Sequence, residues 1–428
     1  MSAIAPGTGA PAASRLLPAS PAGETYAAHL ARLGPAPSGS GLAEELHRAG
    51  LTGHGGAGFP VAVKWRAVAS RVTRDHPAVV VADGAETEPA SLKDRTLLAL
   101  RPHLVLDGIQ LAARAVGATR AVLYVSRAHD ALTRTLSAAI SERPGVRGGE
   151  VAVELVLAPT RYVAGEETAI VARLNGRAAR PRSVPPRPYE TGVAGRPTLV
   201  NNVETFAHVA LIARFGAGWF RSVGTPDAPG TTLVTVSGAV HRPGVQEVPY
   251  GATVSQIVAG AGGATAEPAA VLVGGYFGRW IAADRVWGLA VEPRTLRSVG
   301  LSLGAGVIAV LPQGRCGVAE SDRVLAFLAR ESAGQCGPCS LGLPALAETF
   351  HAVAMGAAAP SAIDRLARWA LEIRGRGACR HPDGATLFAA SALEVFADEL
   401  RRHLRQGPCR AASQPPLLPT PVLPAGWR

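Results

Sequence analysis

The residues of this chain whose types and spacing most directly imply chemistry are a set of cysteines near one end and a glycine-rich loop near the other. Cys336 and Cys339 form a CxxC pair, Cys379 follows, and with Cys316 and Cys409 all five cysteines fall in the last third of the 428 residues. Thiolates grouped in this way select iron–sulfur centres or zinc. An odd number without a secretory context favours ligation over disulfides. At the other end, Gly53 to Phe59 reads GHGGAGF and leads into a helical stretch that carries Lys64. Glycines let backbone amides turn inward around an anion, and a lysine one or two turns later can neutralise a phosphate. In a chain with 49 glycines the same spacing also describes a plain tight turn.

Three further segments add polar groups. ADGAETEPASLKDR follows the strand-like run AVVV and places Glu86, Glu88, Lys93, Asp94 and Arg95 beyond its carboxyl end, where open α/β sheets bind ligands; the plain alternative is a solvated loop. YVAGEETA sets Glu166 and Glu167 beside Gly165, either to accept hydrogen bonds from a ligand or to complement a helix dipole. RPTLVNNVETFAHV offers the amides of Asn201 and Asn202, suited to a flavin ring, a phosphate or a turn. Lysine occurs only at Lys64 and Lys93, and asparagine only at Asn175, Asn201 and Asn202. Scarcity makes these positions candidates for work that arginine or other amides cannot do.

The elements that must position these groups follow from hydrophobic pattern. From about residue 40, AVVVADG, AVLYVS and VAVELVLAP alternate with longer helical runs, which is α/β grammar. One of those runs, DRTLLALRPHLVLDGIQLAARAVGA, reads as continuous. The turn-rich TPDAPG closes this region, and two strands with a short helix open a small α+β unit. From about Ala319 four helical runs give a four-helix bundle by count. The expected boundaries are a disordered arm over 1–24, an α/β domain over 25–225, the small domain over 226–315, the bundle over 316–407 and a disordered Pro-rich tail over 408–428. No apolar run approaches the roughly 18–20 residues of a spanning helix, and the N-terminus lacks the pattern of a secretory signal. The net charge of +11 comes from scattered arginines with 5% aromatics, so a solvated surface is preferred to nucleic-acid binding.

Taken together, GHGGAGF with Lys64, the acidic loop, YVAGEET, NNVET and the cysteines resemble the NADH-oxidising flavoprotein subunit of respiratory complex I, with its relatives in NAD-linked hydrogenases and formate dehydrogenases. The likeness covers nearly the whole chain between its tails. It implies a Rossmann-like FMN/NADH-binding domain, a β-grasp-like (SLBB-type) domain and an iron–sulfur helical domain. It also implies cofactor contacts from Gly53, His54, Gly55, Gly56, Ala57, Gly58, Phe59, Lys64, Asp83, Glu86, Glu88, Tyr162, Gly165, Glu166, Glu167, Asn201, Asn202 and Thr205. Cys336, Cys339 and Cys379 match cluster ligands, while Ala333 stands at the first cysteine of the family's CxxCxxC. His54 replaces an Arg, Asp83 and Ala85 replace an Asn and an Asp, Val184 replaces a Lys, and Ala67 and Arg187 stand where aromatic rings stack on adenine.

The implied activity is an oxidoreductase passing electrons from NADH through FMN to an iron–sulfur cluster, of 4Fe-4S type, with Glu88 and Glu167 orienting the nucleotide and no proton-transfer residue required. A ferredoxin or another iron–sulfur protein of a complex would accept the electrons. The expected location is cytoplasmic, peripheral to a membrane at most through a complex. Two alternatives stand beside it: a same-fold flavoprotein using NADPH or ferredoxin as donor, and a non-catalytic docking subunit. His381 or Asp383 is a substitute fourth ligand, as is water. A helix over 319–331 would hold Cys316 roughly 20 Å from the CxxC pair, and the final helix should return Cys409 toward Cys316.

Overall fold

The computed structural model describes residues 14–18, 22–424 and 426–427. Four strands, β1 (Ala78–Gly84), β2 (Ala118–Ser126), β3 (Val153–Ala158) and β4 (Thr198–Asn202), form a parallel sheet in the order β3-β2-β1-β4. β1 is nearly continuous in Val and Ala and buried on both faces, as a central parallel strand covered by helices must be. The long helical run between β1 and β2 is two helices, Lys93–Leu100 and Pro102–Val116. Pro102 has no N–H to continue the first, but its fixed φ suits the start of the second. That second helix packs on Val203–Arg221, and Gly108 makes the approach possible: a Cβ there would sit 2.0 Å from the Phe206 carbonyl oxygen.

A second sheet of β5 (Thr231–Gly238), β6 (Gly244–Pro249), β7 (Pro268–Val273), β8 (Arg279–Ala282) and β9 (Val307–Pro312) is ordered β6-β5-β9-β7-β8. Only the β5–β9 pair is parallel. Successive strand residues face opposite sides, and here each side belongs to a different core. Val271, Val273, Ile308 and Val310 pack with the sheet's own helix Val254–Gly260. Ala270, Leu272, Ala309 and Leu311 pack with the C-terminal helices.

Those helices number five among the described residues: Gly317–Arg330, Leu343–Ala354, Ala362–Ile373, His381–Val395 and Ala397–Gln406. The expected last helix is interrupted at Phe396 (φ −106°, ψ 25°), whose ring fills the space over Gly317. The count of four is therefore corrected to five. No helix of the described residues is long and apolar enough to cross a membrane.

Particular residues at both ends are packed, contrary to the expectation of disorder. Leu16 and Leu17 are buried, and their amides donate to Glu247 Oε2 at 2.8 and 3.2 Å. Residues 1–13 and 19–21 of the expected arm lie outside the described set. In the C-terminal segment Leu418 is 1% exposed, the amides of Leu417 and Leu418 donate to Glu320, and Trp427 lies against the guanidinium groups of Arg161 and Arg180. Proline bars a helix but not docking: the extended backbone finds side-chain acceptors and an apolar slot. Leu418→Ala should cost about 2–4 kcal/mol, the range for emptying a filled core site; denaturant unfolding of the purified protein measures it, and a loss below about 0.5 kcal/mol would mean the tail is not docked in solution.

Candidate functional site

The site begins where β1 and β4 end. Asp83 pairs in register with Asn202 and Ala82 with Asn201, so the tips of two parallel strands present a carboxyl and two amides together. Asn202 caps Val203–Arg221 by accepting from Glu204 N at 3.0 Å, and its amide donates to Asp94 at 2.7 Å. Asn201 Oδ1 accepts from Trp65 Nε1 at 3.2 Å. The amide oxygens of the rare pair thus brace the protein, while both residues still line the cavity above the strands.

Above them the glycine loop is pinned at its neck by a bridge between Thr52 and Pro60 and by Gly53 N donating to Phe59 O at 2.9 Å. Gly56 has φ +99° and Gly58 φ +60°, conformations that side chains resist. The loop leads into Val61–Ala69, which carries Lys64. Lys64 Nζ meets Glu167 Oε2 at 3.0 Å. Glu166, the N-cap of Glu167–Leu174, accepts from the amides of Thr168 and Ala169, so the dipole-cap reading holds for it, while burial raises its pKa.

These parts enclose a cavity of about 710 Å³. Of the expected residues, Gly53, Gly55, Ala57, Gly58, Phe59, Lys64, Asp83, Gly165, Glu166, Glu167, Asn201 and Asn202 line it, and so does Cys379. His54 and Gly56 face an adjoining cavity of about 230 Å³ instead. The other expected residues sit behind the wall. Thr205 Oγ1 holds the glycine loop by accepting from His54 N at 3.0 Å. Glu86 accepts from the amides of Asp94 and Arg95 at the start of Lys93–Leu100. Glu88 accepts from Tyr162 Oη and Tyr276 N, both at 2.8 Å, and burial pushes its pKa up to about 7. Glu88 and Tyr162 are thus bonded to each other; neither lines the large cavity, and Glu88 lines a separate one beside the C-terminal segment.

Several wall residues were not foreseen: Arg182, Ser183, Val200, Gly375, Gly377, Ala378 and Arg380. The Gly/Arg-rich stretch leading into Cys379 was the one local signal of a loop that approaches a ligand. Phe59, 52% exposed at the rim, and Arg187 also line the cavity, whereas Ala67 does not.

Two charged groups dominate the floor. Burial raises the pKa of Asp83 to about 7, only partly offset by the Ala85 amide that it accepts at 3.1 Å. Beneath it Lys93 Nζ lies 2.7 Å from Asp94, 2.9 Å from Glu204 and 3.3 Å from Asn202 Oδ1. Burial opposes the charge on Glu204, but Lys93, His54, His208 and the Leu233 amide together outweigh it and hold that carboxyl down at about 2. Lys93, one of the two rare lysines, is a buried counter-charge.

On the far wall, Cys336, Cys339 and Cys379 come together. Burial and then the neighbouring Cys336 and Cys379 push the Cys339 thiol up to about 12. Burial also raises Cys379, against a hydrogen bond from the His381 amide. Cysteines grouped in this way suit a cationic iron–sulfur core, which thiolate ligands select. Ala333 is buried in the same apolar cluster. Asp383 is committed to Gly375 N at 2.7 Å and Arg380 at 2.9 Å. His381 Nε2 bonds the Leu328 carbonyl at 2.8 Å, and its buried Nδ1 has no partner.

The arrangement is that of a flavoprotein with an attached iron–sulfur domain, and known sequences agree. The profile of the Nuo51 FMN-binding domain matches residues 46–211, that of the SLBB domain 233–275, and that of the NADH-ubiquinone oxidoreductase-F iron-sulfur binding region 319–403. The NADH-quinone oxidoreductase-F protein of Mycobacterium bovis is 33% identical over 375 residues, 84% of each chain. The NADP-reducing hydrogenase subunit HndC of Solidesulfovibrio fructosivorans is 29% identical over 89% of this chain and 79% of its own. A crystal structure of an NAD+-reducing [NiFe]-hydrogenase in the H2-reduced state superposes with a TM-score of 0.78 at 34% identity, covering 90% of this chain; this chain spans 65% of that one. The chain belongs to the NADH-quinone oxidoreductase-F family. It is an oxidoreductase flavoprotein with an FMN-binding domain, an SLBB domain and an iron–sulfur region.

Asp83 gives the site a pH signature. Its folded pKa of about 7 exceeds the ordinary 3.8, so the folded state binds that proton more tightly and stability from this group falls as pH rises through that window. Asp83→Asn should therefore match the parent near pH 4 and exceed it at pH 8 by about 1–2 kcal/mol, a value discounted for the solvent in the cavity. Parallel unfolding curves with no pH-dependent difference would refute this.

Proposed function

We propose that this chain takes electrons from a reduced nicotinamide at the large cavity and delivers them, through FMN and a cluster on Cys336, Cys339 and Cys379, to an iron–sulfur partner protein or ferredoxin. The observation that carries this reading is that one cavity wall holds the glycine loop, Lys64 and Asn201, and the opposite wall holds Cys379. FMN bound there would supply the change from two-electron to one-electron transfer. The chain's own residues supply the rest. The glycine loop lining the cavity, with Lys64 nearby, suits a phosphate. Glu167, paired with Lys64, is the acidic group left at the cavity to orient the nucleotide. No side chain here is required to move a proton for hydride transfer. The cluster rests on three thiolates with Ala333 in place of a fourth, and the unpartnered Nδ1 of His381 favours it over the committed Asp383 as a substitute.

An anaerobic absorbance titration of the FMN-reconstituted protein with NADH, with iron and sulfide counted on the same sample, tests the reading. Flavin bleaching within one equivalent of NADH, with roughly three to four irons per chain as three- or four-iron clusters require, is the expected result. Bound flavin that NADH cannot bleach would sink the donor assignment, and a chain that binds no FMN would leave a docking role.

A second reading, NADPH as donor, is favoured by the guanidinium groups of Arg182, Arg187 and Arg380 on the wall of a cavity that keeps only Phe59 of the expected aromatic cage. Arginine pairs with a 2′-phosphate through charge-assisted bonds. If NADPH is used, Arg187→Ala should lower kcat/KM for NADPH about tenfold, the loss of one exposed charge-assisted contact, with little change for NADH. Equal effects on both would exclude Arg187 as a 2′-phosphate reader.

A further inference from the structure

At the end of Gly317–Arg330 remote from the CxxC pair, four side chains converge that neither flavin nor cluster employs. Cys316 caps that helix, its Sγ accepting from Ala319 N at 3.2 Å. The same Sγ lies 3.7 Å from Nε2 of His403, which is fully buried on Ala397–Gln406. Glu399, one turn earlier on that helix, brings Oε1 to 4.0 Å from the same nitrogen, while its Oε2 accepts from Gly317 N at 3.3 Å. Cys409, just beyond the helix end, completes the group, and one ligand atom from each of the four lies within 4.8 Å of every other.

The imidazole is already set for ligation. His403 Nδ1 lies 2.8 Å from the Ala354 carbonyl and so carries the proton, and the Cys409 amide points at Nε2 from 3.3 Å. The carbonyl contact puts the lone pair on Nε2, where it accepts the Cys409 amide hydrogen until a metal displaces it; such a carbonyl partner is the usual outer support of a metal-bound histidine. A tetrahedral zinc ion with sulfur, nitrogen and oxygen ligands has edges of about 3.3–3.8 Å between ligand atoms. The Cys316–His403 edge already has that length, and the others need contraction of about 1 Å or less.

We propose that Cys316, Glu399, His403 and Cys409 form a structural zinc site, separate from the iron–sulfur cluster, that fastens the C-terminal segment to the helical domain. Two thiols with an imidazole and a carboxylate match zinc's mixed preferences. With all four positions taken by protein the site is closed, which makes it structural rather than catalytic. Binding expels both thiol protons and leaves one net negative charge, which the N-terminus of Gly317–Arg330 favours.

The test counts zinc, iron and flavin on the full-length holoprotein after removal of loose metal and reloading with zinc chloride. About one zinc per chain is expected, falling below roughly one tenth in both Cys316→Ser and His403→Gln while iron and flavin stay at parental levels. Should either variant lose iron and flavin as well, the iron-loaded wild-type protein exchanged with cobalt decides: a thiolate-to-cobalt charge-transfer band supports the site, and its absence overturns it. Zinc absent from the reloaded wild type, zinc retained by both variants, or a Cys316–Cys409 disulfide in the intact protein would each overturn the proposal.

Discussion

The structure depends on one buried positive charge. Lys93 is sealed between Asp94 and Glu204 with Asn202 at its side. A lysine taken out of water costs several kcal/mol unless the surrounding geometry compensates it. Here each partner is itself held by a different element. Glu204 begins a helix and also accepts from Leu233 N and Thr232 Oγ1 of β5, while Asn202 ends β4. The parallel sheet, the loop after β1 and the second sheet therefore meet at a point set by electrostatics, and the Asn201–Asn202 floor of the cavity lies directly on it. Arginine could not substitute readily, since its planar fork needs more room and other directions.

What could be read from the sequence was whatever has a local cause. The run AVVV, the glycine loop and the CxxC pair carry their meaning within a few residues, and the structure places them in a buried central strand, a cavity wall and a thiol cluster. The break at Pro102 was legible in principle, because proline writes its effect locally. The contact between Glu88 and Tyr162 was not: each was read from its own motif, yet they bond across 74 positions of chain. The docked tail escaped for the same reason. Proline content reports that a segment cannot be helical, but the slot that receives Leu418 is assembled by residues far away in the chain. The approach of Cys316 to the segment holding Cys409 could be foreseen because a helix has a fixed rise; the histidine and carboxylate between them could not.

The two halves of the electron path are built by different means that converge on one cavity. On the flavin side, backbone amides and strand tips do the positioning, which tolerates side-chain change. On the cluster side, position depends on thiols in two bends and in the short helical turn Pro338–Gly342. Glu166 stands between, capping a helix of the first domain while its charge bears on Cys379.

The middle sheet has a consequence for how such a protein can be taken apart. On β7 and β9, odd and even positions serve separate cores, so no cut along these strands leaves a complete hydrophobic interior on either side. A slip of one residue would exchange the two interiors wholesale, placing Val where Ala and Leu now meet helices. The chain reads as three modules, yet its second and third share one hydrophobic interior. Recombination that traded the iron–sulfur region alone would orphan half of a β-sheet, so an exchange that preserves folding must carry sheet and helices as one inherited block.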